Sequence, residues 1–120
     1  MIVMKRVYEA ADEHDGYRVL VDRLWPRGVS KERAKLDDWA KTIAPSDDLR
    51  HWYNHDPAKW DEFQQRYAKE LEHPDAQAVL DALARRAKRG RVTLLYSAKD
   101  GPISNAAALA TLLAGRSKHR

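Results

Sequence analysis

Residues 17 to 31, Tyr-Arg-Val-Leu-Val-Asp-Arg-Leu-Trp-Pro-Arg-Gly-Val-Ser-Lys, begin as a strand and end as a charged loop. Val19, Leu20, Val21 and Leu24 are the residues a packed sheet accommodates. Asp22 and Arg23 interrupt that run, and Trp25-Pro26-Arg27-Gly28 stops it, because Pro26 has no amide for a ladder and Gly28 permits a turn. An apolar strand running straight into Asp, Arg, Trp, Arg and Lys delivers charged groups to one sheet edge. The carboxyl ends of strands are where open α/β sheets bind ligands. The stretch therefore points to an α/β fold and to a site, without naming a reaction.

Upstream, residues 2 to 8 read as a first strand, and Asp15-Gly16 is a turn signal before the second. The connection is too short for a crossover helix, which predicts antiparallel neighbours and argues against parallel pairing of these two strands. Downstream, Leu36, Trp39, Ala40 and Ile43 have helical spacing, with Ser30 as cap and Ala44-Pro45 as breaker. Ser46 with Asp47 and Asp48 opens a helix that carries Leu49, Trp52 and Tyr53 inward and stops near Asn54. Asp56 caps and Pro57 begins the next, with Trp60, Phe63, Tyr67 and Leu71 as its stripe. Pro74 opens the cleanest amphipathic face, Ala76, Val79, Leu80, Leu83, Ala84 and Ala87, which Gly90 closes.

Val92 to Tyr96 is a buried-type strand, residues 97 to 102 a polar loop, and Ser104 or Asn105 starts a last helix that Gly115 closes. The long helical segment between the second and last strands is ample for parallel pairing. The expected architecture is a small sheet of about three or four strands, at least two of them parallel, with helices packed against it. It forms a single compact α/β domain over residues 1 to 115, followed by a basic flexible tail, 116 to 120.

A chain of 120 residues is enough for one core. No apolar run approaches the roughly 20 residues that span a bilayer, and the first residues lack the order of a secretory signal, so no membrane partner and a cytoplasmic location are expected. The absence of cysteine excludes disulfides, thiolate catalysis and cysteine-ligated zinc. The net charge of +4 is concentrated in Arg85, Arg86, Lys88, Arg89 and Arg91 and in Arg116, Lys118 and Arg120. That is the footprint of a nucleic-acid partner, the alternative function. The plainer account is a helix end complementing its dipole, followed by a solvated tail. Four tryptophans raise a further alternative, a non-catalytic interaction module. Trp39, Trp52 and Trp60 fall at helical core spacings, whereas Trp25 lies in a loop between arginines, either packed over the sheet edge or forming an aromatic wall for a planar ligand.

If the second and last strands are parallel neighbours, their charged loops meet at one edge. The later loop precedes a helix whose free N–H groups suit an anion. Arg23, Arg27 and Lys99 would bind a phosphate or carboxylate, with Asp22, His55 or Asp100 as candidate acid or base. The competing reading is that Asp22 and Arg23 only form an ion pair holding the sheet edge. Asp56 could orient His55, although helix capping is sufficient work for it. His51 and His55 have the spacing of a helical metal pair, but no third ligand accompanies them and no metal is expected. Ser97 and Lys99 are a conceivable nucleophile pair, though loop serines mostly serve turns and caps. Neither a Gly-x-Gly-x-x-Gly nor a Walker-type loop is present, and no cofactor is expected.

Arg18 to Gly28 resembles the signature of the DUF488 family in its YeaO-like branch. So do Ala44-Pro45-Ser46, His55-Asp56-Pro57 with Trp60 and Phe63, and Val92 to Tyr96 followed by Lys99-Asp100 and Asn105. The resemblance covers nearly the whole chain in order. It implies one compact α/β domain of bacterial, cytoplasmic type, and it carries no established activity. Its motif positions include Asp22, Arg23, Arg27, His55, Asp56, Lys99, Asp100 and Asn105, which adds Asn105 to the ligand-binding candidates Arg23, Trp25, Arg27 and Lys99. Ser97 and His51 fall where the family pattern is loose. A cysteine motif seen in other branches has no counterpart in this chain.

Overall fold

The computed structural model describes residues 1–118. Four strands, β1 (Ile2–Arg6), β2 (Tyr17–Leu20), β3 (Asp38–Trp39) and β4 (Val92–Tyr96), form one sheet in the order β1-β4-β2-β3, with every pairing parallel. β4 lies between β1 and β2 and is covered on both faces, so all five of its residues are buried. That is why it reads as a continuous apolar run rather than an alternating one. Met4 and Val19 both register with Leu94.

β1 and β2 are not the antiparallel neighbours that their short connection predicts. β4 separates them and runs parallel to both. A crossover does not require a helix when the strands are this short, since about 3.3–3.6 Å per extended residue lets residues 7 to 16 return past a strand of four or five. The return ends in a helical turn, Glu13–Asp15, capped by Asp12, and then in Gly16 at φ 67. A Cβ there would lie 2.2 Å from the Arg91 carbonyl oxygen, which accepts the Tyr17 amide.

The helix that the spacing of Leu36, Trp39, Ala40 and Ile43 predicts does not form. Ser30 caps a helix as expected, but α1 (Lys31–Ala34) ends at once in Lys35 at φ 46. Asp38 and Trp39 then pair with Val19 and Leu20 as the edge strand, and Lys41–Ile43 is a single 3₁₀ turn. The apparent helical stripe belongs to two cores: Leu36 and Trp39 pack on one face of the sheet, Ala40 and Ile43 on the other. An edge strand of two residues is too short to show a period of two.

The remaining helices follow their local signals. In α2 (Asp47–Tyr53) the Ser46 hydroxyl accepts the Leu49 amide. Asp56 caps the turn Pro57–Lys59, which leads into α3 (Trp60–Glu70), and Pro74 opens α4 (Pro74–Arg89). α5 (Asn105–Lys118) runs through Gly115, where a stop is expected, and Arg116 donates to Asp81 and Gln77. Of the expected tail, residues 119 and 120 lie outside the described residues.

The larger core joins Val19, Val21, Val92, Leu94 and Tyr96 to α2, α3, α4 and α5. The opposite face, under Leu20 and Leu95, is covered only by α1 and loop residues such as Val7 and Val29. This thin side closes with a buried polar network. Arg18 donates to Asp15 (2.5 Å) and to the Ala34 carbonyl (2.7 Å), and Lys5 donates to Asp15. Burial alone would raise the Asp15 carboxyl. The Asp12 amide, Lys5 and Arg18 outweigh it and hold the group below its ordinary 3.8.

Candidate functional site

Parallel register carries the ends of β2 and β4 to the same edge. Leu20 lies opposite Leu95, the Val21 amide donates to Leu95 O, and two residues further on Asp22 meets Ser97. The Asp22 carboxylate accepts from the Ser97 amide (2.9 Å) and hydroxyl (2.8 Å). Its own carbonyl accepts the Trp39 indole, and Asn105 at the start of α5 donates to Val21 O. Asp22 therefore ties the two strand-end loops together. Burial pushes its carboxyl above 3.8, against the opposing bonds from Ser97 and Asn105.

Arg23 makes no ion pair with Asp22. It turns the other way and donates to Pro45 O (3.0 Å), with Asp47 at 4.0 Å. Arg6, at the end of β1, forks onto the Ser97 and Ala98 carbonyls, both at 2.9 Å. Trp25 donates to Val29 O and meets Trp39 edge-on at 5.3 Å. Arg27 and Lys99 are exposed and have no hydrogen bond or ion pair among the described residues.

The chain leaves α2 through two consecutive left-handed residues, Asn54 (φ 46) and His55 (φ 55). This sharp exit sets the His55 ring 6.3 Å from that of Tyr53. The Tyr53 hydroxyl donates to Ile103 O, and burial, helped by Asp100 and Asp56, pushes it up to about 12.

These elements enclose a cleft of about 700 Å³. Asp22, Arg23, Trp25, Arg27, His55, Lys99 and Asn105, all singled out in the sequence, line it together with His51. Asp100 and Asp56 do not; Asp100 is exposed beyond the rim and Asp56 caps the turn before α3. Arg6, Tyr8, Arg50 and Tyr53 also line the cleft and are not among the site candidates the sequence suggests, where Tyr53 reads only as an inward core residue. Arg6 and Tyr8 follow the first apolar run much as Asp22 and Arg23 follow the second. Treating β1 as a parallel neighbour of β4 would have found them.

The lining is electrostatically lopsided. Arg6, Arg23, Arg27, Arg50 and Lys99 line it with a single carboxylate, Asp22, which is already committed to Ser97, while Asp47 outside the lining pairs with Arg50 at 2.6 Å. The amino end of α5 contributes less than expected, because the Ser104 hydroxyl accepts the Ala107 amide there. Among the described residues no group of three or more His, Cys, Asp or Glu side chains converges as a metal site would require. The tryptophans have internal partners: Lys59 and Arg66 lie over Trp52 at 5.1 and 4.3 Å, and Trp60 lies against Tyr53 and Phe63.

Fold and site together define a small parallel α/β domain with a cationic cleft at the carboxyl edge of its sheet. No described helix is long and apolar enough to cross a membrane. The chain belongs to the DUF488 family: residues 1–120 match the model described as "Inactive DUF488-N3 subclade". It is 43% identical over 112 residues to the uncharacterized protein YeaO of Escherichia coli (strain K12), covering 93% of this chain and 96% of that protein. It is 46% identical over 111 residues, 92% of each chain, to uncharacterized proteins of Mycobacterium bovis (strain ATCC BAA-935 / AF2122/97) and Mycobacterium tuberculosis (strain ATCC 25618 / H37Rv). No solved structure matches significantly.

Proposed function

We propose that this domain binds a small phosphate- or carboxylate-bearing ligand in the cleft, as a cytoplasmic binding protein without turnover. The observation that carries the reading is the excess of cations: five cationic side chains line the cleft with one committed carboxylate, Arg50 is paired with Asp47 outside it, and Arg27 and Lys99 have no internal partner among the described residues. Guanidinium and ammonium groups held at a strand edge suit an oxyanion. The three candidate acids and bases support binding over catalysis. Asp22 is held by Ser97, His55 has no carboxylate bonded to it among the described residues, and Asp100 stands off the cleft. The subclade's description as inactive agrees.

Calorimetric titration with inorganic phosphate is the test. Wild type should bind, and Arg27→Ala with Lys99→Ala should weaken binding by at least about tenfold, the equivalent of about 1.4 kcal/mol. Both side chains are exposed, so the variant should fold normally. Absence of phosphate binding by wild type, or binding unchanged in the variant, contradicts the proposal.

A second reading rests on Arg85, Lys88, Arg89 and Arg91, which are exposed and have no ion pairs among the described residues. They suit a polyanion such as nucleic acid. They also lie at the opposite end of β4 from Ser97, so the two readings are separable by mutation.

A further inference from the structure

We infer that the ligand of this cleft is a phosphate monoester carrying a flat ring, with the dimensions of one nucleoside monophosphate, rather than a bare inorganic anion; this rests on the anion-binding reading above. Size is the first observation. A cleft of about 700 Å³ far exceeds a tetrahedral anion and falls within the roughly 300–1,000 Å³ typical of organic ligand sites.

The second observation is where apolar surface stays in water. Among the described residues the exposed large hydrophobic side chains are Met1, Tyr8 and Leu24, and both Tyr8 (41% exposed) and Leu24 (59%) line this cleft. Leu24 is positioned by the same loop that supplies Arg23 and Arg27. Tyr8 has the Arg6 guanidinium 4.9 Å from its ring centre. An aromatic and an aliphatic side chain in water at the mouth of a cationic cleft form a platform for a flat apolar body.

The third observation is that the free cations share this cleft. Arg27 and Lys99 break no internal bond among the described residues to accept a phosphate, whereas Arg6 and Arg23 are occupied by backbone carbonyls and Arg50 by Asp47. Phosphate would lie against Arg27 and Lys99, and the ring against Tyr8 and Leu24. Stacking on a protein side chain is sequence-tolerant, so purine and pyrimidine should both be accepted.

The experiment is calorimetric titration of the full chain with inorganic phosphate, adenosine 5′-monophosphate, uridine 5′-monophosphate and a 5′-phosphorylated tetranucleotide. The nucleotides should bind at least about tenfold more tightly than phosphate, reflecting the added stacking. Tyr8→Ala with Leu24→Ala should reduce nucleotide affinity to that of phosphate. Both residues are exposed, so the fold should persist, and circular dichroism checks that it does. The tetranucleotide should bind no more tightly than the mononucleotides. If phosphate binds and neither nucleotide does better, or if their advantage survives both substitutions, the inference falls and the anion reading stands. If the tetranucleotide binds much more tightly, the single-nucleotide ligand is wrong. If neither phosphate nor nucleotide binds, both readings fall together.

Discussion

Asp22 sits where two effects oppose each other. Burial disfavours its charge, Ser97 and Asn105 favour it, and burial wins. An acid whose folded pKa is raised binds more protons in the native state than in the unfolded one. Its contribution therefore makes stability fall as pH climbs from the ordinary 3.8 through the raised value, with no further loss above it. Asp15 acts in the opposite sense, since its lowered pKa loses stability only as pH falls below 3.8. Asp22→Asn keeps an oxygen for Ser97 and removes the titration, while Asp15 stays common to both proteins and cancels in their difference. Urea denaturation across pH should show the variant-minus-wild-type stability flat below 3.8, rising in the variant's favour above it, then level. A difference flat throughout would contradict the raised pKa. Asp22 and Arg23 are legible in the sequence as charges at the end of a buried strand, and both line the cleft. Their partners were not legible: Ser97 and Pro45 lie 75 and 22 residues away and become neighbours only through the sheet.

The elements divide by how local their causes are. Ser30, Ser46, Asp56, Pro74 and Gly90 were read correctly because a cap acts within one turn of the chain. Residues 36 to 43 were misread because Leu36 and Ile43 answer to opposite faces of the sheet, and a coincidence of spacing imitated one face of a helix. The crossover from β1 to β2 was misread for want of its third strand. That crossover has its own test at Gly16, where φ is 67 and the space for a Cβ is taken by the Arg91 carbonyl. Gly16→Ala should cost about 1–3 kcal/mol and lower the denaturation midpoint. Gly90→Ala, in extended backbone with nothing within 4 Å of the new Cβ, should stay within about 0.5 kcal/mol of wild type. Equal effects at the two positions would mean that the return past β4 is not as tight as described.

The whole molecule turns on one topological fact, that β4 inserts between β1 and β2 with all three parallel. Three strand ends then open on the same edge, bringing Arg6 and Tyr8, Asp22 to Arg27, and Ser97 to Lys99 into one cleft. The four longer helices gather on one face, and the basic end of α4 falls at the far edge of the sheet. The sequence carried two of those three strand ends. The third, from β1, was hidden by the inference of an antiparallel hairpin. Amide chemical-shift mapping during a phosphate titration separates the cleft from the basic segment. The expected result is a cluster of shifts at residues 6–8, 22–27, 51–55 and 97–99, with residues 85–91 unmoved. Shifts centred on 85–91, or none at the cleft, would contradict the assignment of this edge as the binding site.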